Sequence, residues 1–235
     1  MQPEILKLEP LSILFDQNFI NDIKSYYLIV GTFELYKENL LSVDPNKDNR
    51  NIEQILFDIV SELKEKFNVV IQLFNADLIL SKKHIYYAVN FALTNYLLNK
   101  MISKKLEIEI LVYASLQNQI NLSLKLFKID LTRNNKYMLS FCILRKNKEN
   151  ILNAYEYFQK RLKIESILEL SSFLNFEKII NLKNIYKIED QTLLNSLNTL
   201  GFNTETINKE IPIEILESAL LKCVIEKMAF INFRS

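Results

Sequence analysis

Few side chains in this sequence could carry chemistry of their own. The 235 residues include one histidine, His84, and two cysteines far apart, Cys142 and Cys223. No zinc site of the usual Cys/His spacing can be built from them. A Ser-His-Asp or Cys-His arrangement would have to use His84, with no local motif around it. Both cysteines stand in apolar runs, the setting of buried free thiols in a reducing compartment. There are two glycines, Gly31 and Gly201, where average usage of ~7% would supply roughly 16. A phosphate-cradling loop needs several, so that backbone N–H groups can approach the ligand. These shortages argue against an independent enzyme, a metal centre or a nucleotide-binding loop. No cofactor and no small-molecule substrate are expected.

Cations are better placed. The net charge is +1, which gives no global pull toward nucleic acid or membrane, but a whole-chain sum can hide a charged face. Residues 81–106 hold Lys82, Lys83, Lys100, Lys104 and Lys105 and no carboxylate. Residues 131–148 hold Arg133, Lys136, Arg145, Lys146 and Lys148, again without an acid. Each window is +5, which leaves −9 for the rest. Lysines without neighbouring acids suit phosphate contact. Tyr86, Tyr87 and Tyr96, interleaved with the first set, offer faces on which unpaired bases can stack. The competing reading of Lys104 and Lys105 is a solvated connector.

The elements that must position these residues are legible from periodicity. Residues 25–35 read as a strand with Gly31 inside, the mark of a bulge or a close backbone approach. Residues 37–50 read as a polar loop. Ile52, Ile55, Leu56, Ile59 and Leu63 recur at helical spacing after a plausible N-cap, Asn51. Residues 69–74 read as a buried strand. Ser81 can cap a helix whose apolar face is Ile85, Ala88, Val89, Ala92 and Tyr96. A connection at 99–104 leads to a helix at 106–116, and a short helix follows at 119–127. On the second helix Glu109 can pair with Lys105 at i, i+4, and Tyr113 reads as core. A strand at 137–144 and a helix from Asn147 to about 162 follow. Residues 165–190 hold a helix-like SILELSSFLNF segment and an apolar-basic one. A helix over 191–200 stops at Gly201. Pro212 suits a helix N1 position, opening a last helix to about 229 that is apolar nearly all round. Such a helix is buried on more than one side, by its own core or by a partner. Helices mixed with a few strands, without regular βαβ alternation, give an α+β class: a small antiparallel or mixed sheet packed with several helices in one domain, 1–235. The start MQPEILKLEP has neither a basic nor an apolar run, and no stretch is long enough to span a bilayer. A cytoplasmic protein without membrane association is expected.

The run QLFNADLILSKKHIYYAVNFAL, followed by ISKKLEIEILVYASLQNQI, resembles the TPRKB-type subunit of the KEOPS complex. The resemblance rests on the 72–77 approach, the Lys83-His84 pair before the Ala88/Ala92 helix, Ile102-Ser103, Glu109-Ile110-Leu111, and Gln119-Ile120. The closing EKMAFINF also looks like the family's last helix and tail. The likeness is densest over 69–127. Residues 163–202 match nothing in the family pattern and read as an insertion or divergent segment, so the chain resembles an archaeal-like member with an extra piece.

The resemblance implies a non-catalytic subunit. KEOPS makes threonylcarbamoyladenosine in tRNA, and this subunit docks on the complex's small atypical kinase. In archaeal members it also holds the tRNA 3′ CCA end. The residues that would contact RNA are Lys83, His84, Lys104, Lys105, Asn118 and Gln119. Those that would meet the kinase are Ile213, Leu216, Leu220 and Val224 of the last helix. Asn118 stands where the family often has a basic residue. An amide there can bond a base edge or ribose rather than pair with a phosphate. For His84 the competing reading is an early-turn helix residue with an ordinary hydrogen bond. For Asn118 and Gln119 it is capping of the next helix. The alternative function is an adaptor of the same kinase that does not bind tRNA.

Overall fold

The computed structural model describes residues 3–11, 16–41, 52–129 and 135–231. The expected N-cap Asn51, the cation Arg133 and the end of the C-terminal tail lie outside the described residues. The fold is α+β. Four antiparallel strands, β1 (Leu6–Lys7), β2 (Tyr27–Tyr36), β3 (Val70–Asn75) and β4 (Lys136–Arg145), form one sheet in the order β1-β2-β4-β3. The register runs Tyr27 opposite Arg145 and Val70 opposite Leu144, so β2 and β3 both start where β4 ends.

Side chains alternate along a strand, so each strand feeds two cores. Ile29, Phe33 and Leu35 of β2, Ile71 and Leu73 of β3, and Leu139, Phe141 and Ile143 of β4 face one side. There they meet α3 (Ile52–Phe67) and α7 (Lys148–Leu162). Phe33, Phe141 and Phe158 meet with ring centroids 5.0–5.9 Å apart, each pair worth about 0.5–1.5 kcal/mol beyond its buried area. Gly31 belongs to this face. A Cβ there would lie 2.6 Å from Cε1 of Phe141 and 3.2 Å from Ile167. The strand glycine therefore marks a close approach, by an aromatic ring rather than by backbone.

The other face carries Leu28, Val30, Phe74, Cys142 and Leu144. It packs on α4 (Lys82–Leu97) and α5 (Leu106–Ser115), behind which stand α8 (Phe176–Ile185), α9 (Asp190–Thr199) and α10 (Ile213–Ala229). Two short helices, α1 (Gln17–Lys24) and α2 (Lys37–Leu41), flank β2, and α6 (Ile120–Leu126) follows α5. No helix among the described residues is long and apolar enough to cross a membrane.

Several expectations need correcting. Leu216, Leu220 and Val224 of α10 are all fully buried, wrapped by α4, α8 and α9. Most of the apolar circumference of α10 is consumed inside the molecule, and these three residues are enclosed in this fold. Ile213 is half-buried. Pro212 sits at the N-cap of α10, one position before N1. Tyr96 lies off the buried stripe of α4 and is 45% exposed; Leu93, fully buried, takes the expected place. The SILELSSFLNF segment is no α-helix: Leu168 bridges to Thr32 at the free edge of β2, and Leu170–Phe173 forms a single 3-10 turn. α8 and α9, both from residues 163–202, contribute Ile179, Leu182, Leu193 and Leu197 to the same core as α4 and α5. α9 ends as expected, with Gly201 at φ 83° and Phe202 N–H donating to Leu197 O, the Schellman arrangement.

Candidate functional site

α5 is the axis of the candidate site. Its ten residues span about 15 Å, with one of the proposed contact loops at each end. Leu106, Glu109, Ile110, Leu111, Val112, Tyr113, Ala114 and Ser115 are buried, so α5 cannot move without the core.

At its C-terminus the last four carbonyls each find a donor, as a buried helix end requires. Ser115 Oγ donates to Val112 O, Leu116 N–H to Tyr113 O, and Gln117 Nε2 to Ser115 O. The remaining carbonyl, Ala114 O, takes its hydrogen bond from His84 Nε2 at 3.0 Å. The N–H of Leu80 donates to His84 Nδ1 at 3.3 Å, which makes Nε2 the protonated nitrogen. The ring is fully buried, stands edge-on to Tyr186, and has its pKa pushed down to about 4 by burial, the Ala114 bond opposing. His84 is therefore withdrawn from any direct contact with RNA, because a neutral ring with both nitrogens engaged in the core has nothing to offer outside. It positions the 116–119 loop instead. In that loop Leu116 adopts the left-handed conformation at φ 55°, Asn118 is half-buried, and Gln119 is exposed. Gln119 occupies the N-cap position of α6 but makes no side-chain capping bond. Lys83, next to His84, is exposed.

At its N-terminus a second buried polar group does the same work. The Glu109 carboxylate is fully buried and accepts from Ile102 N–H at 3.1 Å and Ser103 N–H at 2.8 Å. Ser103 Oγ donates to Lys105 O. Glu109 thus binds the connecting backbone rather than the Lys105 ammonium, and Lys104 and Lys105 are held outward, both exposed. Lys83, Asn118 and Gln119 accordingly share the His84 end, whereas Lys104 and Lys105 lie at the opposite end of α5.

Two concavities adjoin these ends. Beside the 116–119 loop lies a polar cavity of about 220 Å³, lined by Leu116, Gln117, Asn118, Tyr186, Lys187, Lys227 and Ile231. Lys227 Nζ donates to the carbonyls of Tyr186 and Lys187 at 3.0 and 2.7 Å, a cation at the C-terminal end of α8. Sequence reading missed Lys187 and Lys227. They come from elements about 70 and 110 residues away, and no local pattern links them to Asn118.

Beside Lys105 runs a groove of about 500 Å³ between α3, β3, α5 and α6. Its walls include Leu56, Phe57 and Val60 of α3, Leu73 of β3, Ile108 and Leu111 of α5, and Leu124 and Phe127. Phe57 is 64% and Leu124 44% exposed. Lys64 and Glu107 form an ion pair across it, and Lys105 and Lys128 stand on its rim. This groove was also missed, although Phe57 gave a signal: it is an aromatic residue off the buried stripe of α3. The thiols offer no alternative chemistry. Cys142 is fully buried, with its pKa pushed up to about 12, and burial raises that of Cys223.

The chain matches the family described as kinase binding protein CGI-121 over residues 46–232. That match takes in β3, α4, both ends of α5, the groove, and the segment 163–202. No curated protein matches the chain. Spanning most of the sequence and every element that builds the candidate site, the match makes this chain a member of the CGI-121 family of kinase-binding proteins.

Proposed function

We propose that this protein is a non-catalytic docking subunit that binds a small atypical kinase, and that it serves the KEOPS tRNA-modifying complex. The observation that carries the reading is the family match over 46–232. The surface offered to the kinase is the groove between α3, α5 and α6, since three of the four expected residues of α10, Leu216, Leu220 and Val224, are enclosed. Exposed Phe57 and Leu124 supply apolar anchors there, and charged side chains stand at the rim, the anatomy of a protein interface. Ile213 stays at the periphery of that assignment.

The RNA half of the reading belongs to the other end of α5. Asn118, Lys187 and Lys227 line a polar, cationic recess suited to a single-stranded tRNA 3′ CCA end, with Gln119 next in the chain and Lys83 beside His84 on α4. An adaptor that binds the kinase without tRNA is the second reading. It is favoured by the burial of His84 and by the separation of Lys104 and Lys105 from the 116–119 loop. Binding of the kinase and of tRNA with and without the CCA end separates the two. Kinase binding with CCA-dependent tRNA binding supports the full reading, kinase binding alone supports the adaptor, and loss of both rejects the proposal.

A further inference from the structure

The C-terminal parts of the two carboxylate-free windows, from Tyr96 and from Arg145 onward, meet at one end of the molecule, while Lys82 pairs with Glu169 and Lys136 with Glu34 at the other ends of α4 and β4. α4 ends beside the start of β2 and the end of β4. There Lys146 Nζ stands 5.0 Å from the centroid of the Tyr26 ring, Arg145 lies opposite Tyr27 in the sheet, and Tyr26 is within electrostatic reach of Tyr96, Arg145 and Lys146. Lys100 follows one turn after Tyr96, its N–H closing the end of α4 onto Asn95 O at 2.8 Å. Lys148 opens α7 just beyond β4.

Acids near this end are largely committed. Asp22 pairs with Lys146, Glu9 with Lys24 at 3.3 Å, and Glu107 with Lys64, while Glu149 stands in the first turn of α7. Lys100, Lys104, Arg145 and Lys148 have no ion-pair partner among the described residues, and the three lysines are exposed. Arg145 adds an independent sign: its Nε is buried without a hydrogen-bond partner, and its half-buried side chain forms no ion pair among the described residues. Lysines are depleted in protein–protein interfaces. Spaced Lys and Arg with tyrosine hydroxyls are instead the set that contacts phosphate and sugar.

We propose that this end, around Tyr96, Lys100, Lys104, Arg145 and Lys148, binds the phosphate backbone of RNA as a surface separate from the 116–119 recess. Lys83 and Tyr96 are about 20 Å apart along α4. The proposal rests on the RNA reading above but assigns it a second contact, one that does not depend on a free 3′ end.

The test uses the full chain and three RNAs: a tRNA ending in CCA, the same tRNA without CCA, and a blunt hairpin with no overhang. Affinities are measured from about 50 to 200 mM salt. The hairpin is expected to bind with a steep salt dependence. The variant Lys100→Glu/Lys104→Glu/Lys148→Glu, all at exposed positions, should weaken binding of all three RNAs at least tenfold and lower the salt slope by about 3. Arg145→Gln should weaken them in the same sense. A hairpin that fails to bind while CCA-bearing tRNA binds overturns this proposal and leaves the CCA reading intact. Hairpin binding with no preference for CCA does the reverse. Binding unchanged in the triple variant overturns the proposal, as does a variant that loses the kinase but keeps RNA, which would make the patch an acidic protein's seat. Binding of none of the RNAs overturns both.

Discussion

His84 and Glu109 are buried side chains that combine ionisable chemistry with control of a surface loop. One holds the end of α5 that leads to Asn118, the other the start that carries Lys104 and Lys105. Their burial makes testable demands. His84 is neutral when folded, with a pKa of about 4 against about 6.5 unfolded. Between these values the unfolded chain binds the extra proton, so this contribution is complete above about pH 6.5 and is lost as pH falls toward 4. The difference is worth about 3 kcal/mol. Urea unfolding of wild type should lose stability through that window, and His84→Asn should flatten the loss. Equal pH dependence in both proteins would contradict the burial. Glu109→Ala leaves two amide groups without their acceptor and should cost about 2–3 kcal/mol in the same assay, whereas Lys105→Ala should cost little, since no ion pair joins the two.

At the scale of elements, α10 was the most misleading part of the chain. A helix apolar nearly all round can be wrapped by its own protein or shared with a partner, and composition alone does not choose between them. The choice depends on α8 and α9, which come from a stretch with little recognisable pattern. Leu220→Ala should therefore act as a core cavity, costing about 2–5 kcal/mol in thermal or urea unfolding. It should not change kinase affinity under conditions where the protein stays folded; a selective loss of affinity without loss of stability would return α10 to the interface. Periodicity served well where a face is decided locally: the three long strands of the sheet, though not the two-residue β1, the stripe Ile151, Ala154, Tyr155, Phe158 on α7, and the Gly201 stop. It failed where tertiary neighbours decide. Tyr96 sits one turn past the buried stripe, 166–176 owes its shape to the edge of β2, and the direction of the His84 ring depends on a carbonyl thirty residues away. The candidate site was legible as a list of cations and amides, but its division between the two ends of α5 was not.

The whole molecule is a sheet with a core on each side and two kinds of surface. One is the apolar groove beside α3 and α6. The other is basic, made by the end of α4 with β4 and by the recess at 116–119. On the proposed function, partner and RNA would occupy separate faces, and neither would have to displace the other. Kinase docking is read out by calorimetry as the affinity of the folded chain for the kinase subunit from the same source. Wild type is expected to bind. Phe57→Asp/Leu124→Asp should weaken that binding at least tenfold, about 1.4 kcal/mol or more, while the melting temperature stays close to that of wild type because both side chains already face solvent. No binding by wild type, or binding that the double variant leaves unchanged, would contradict the account.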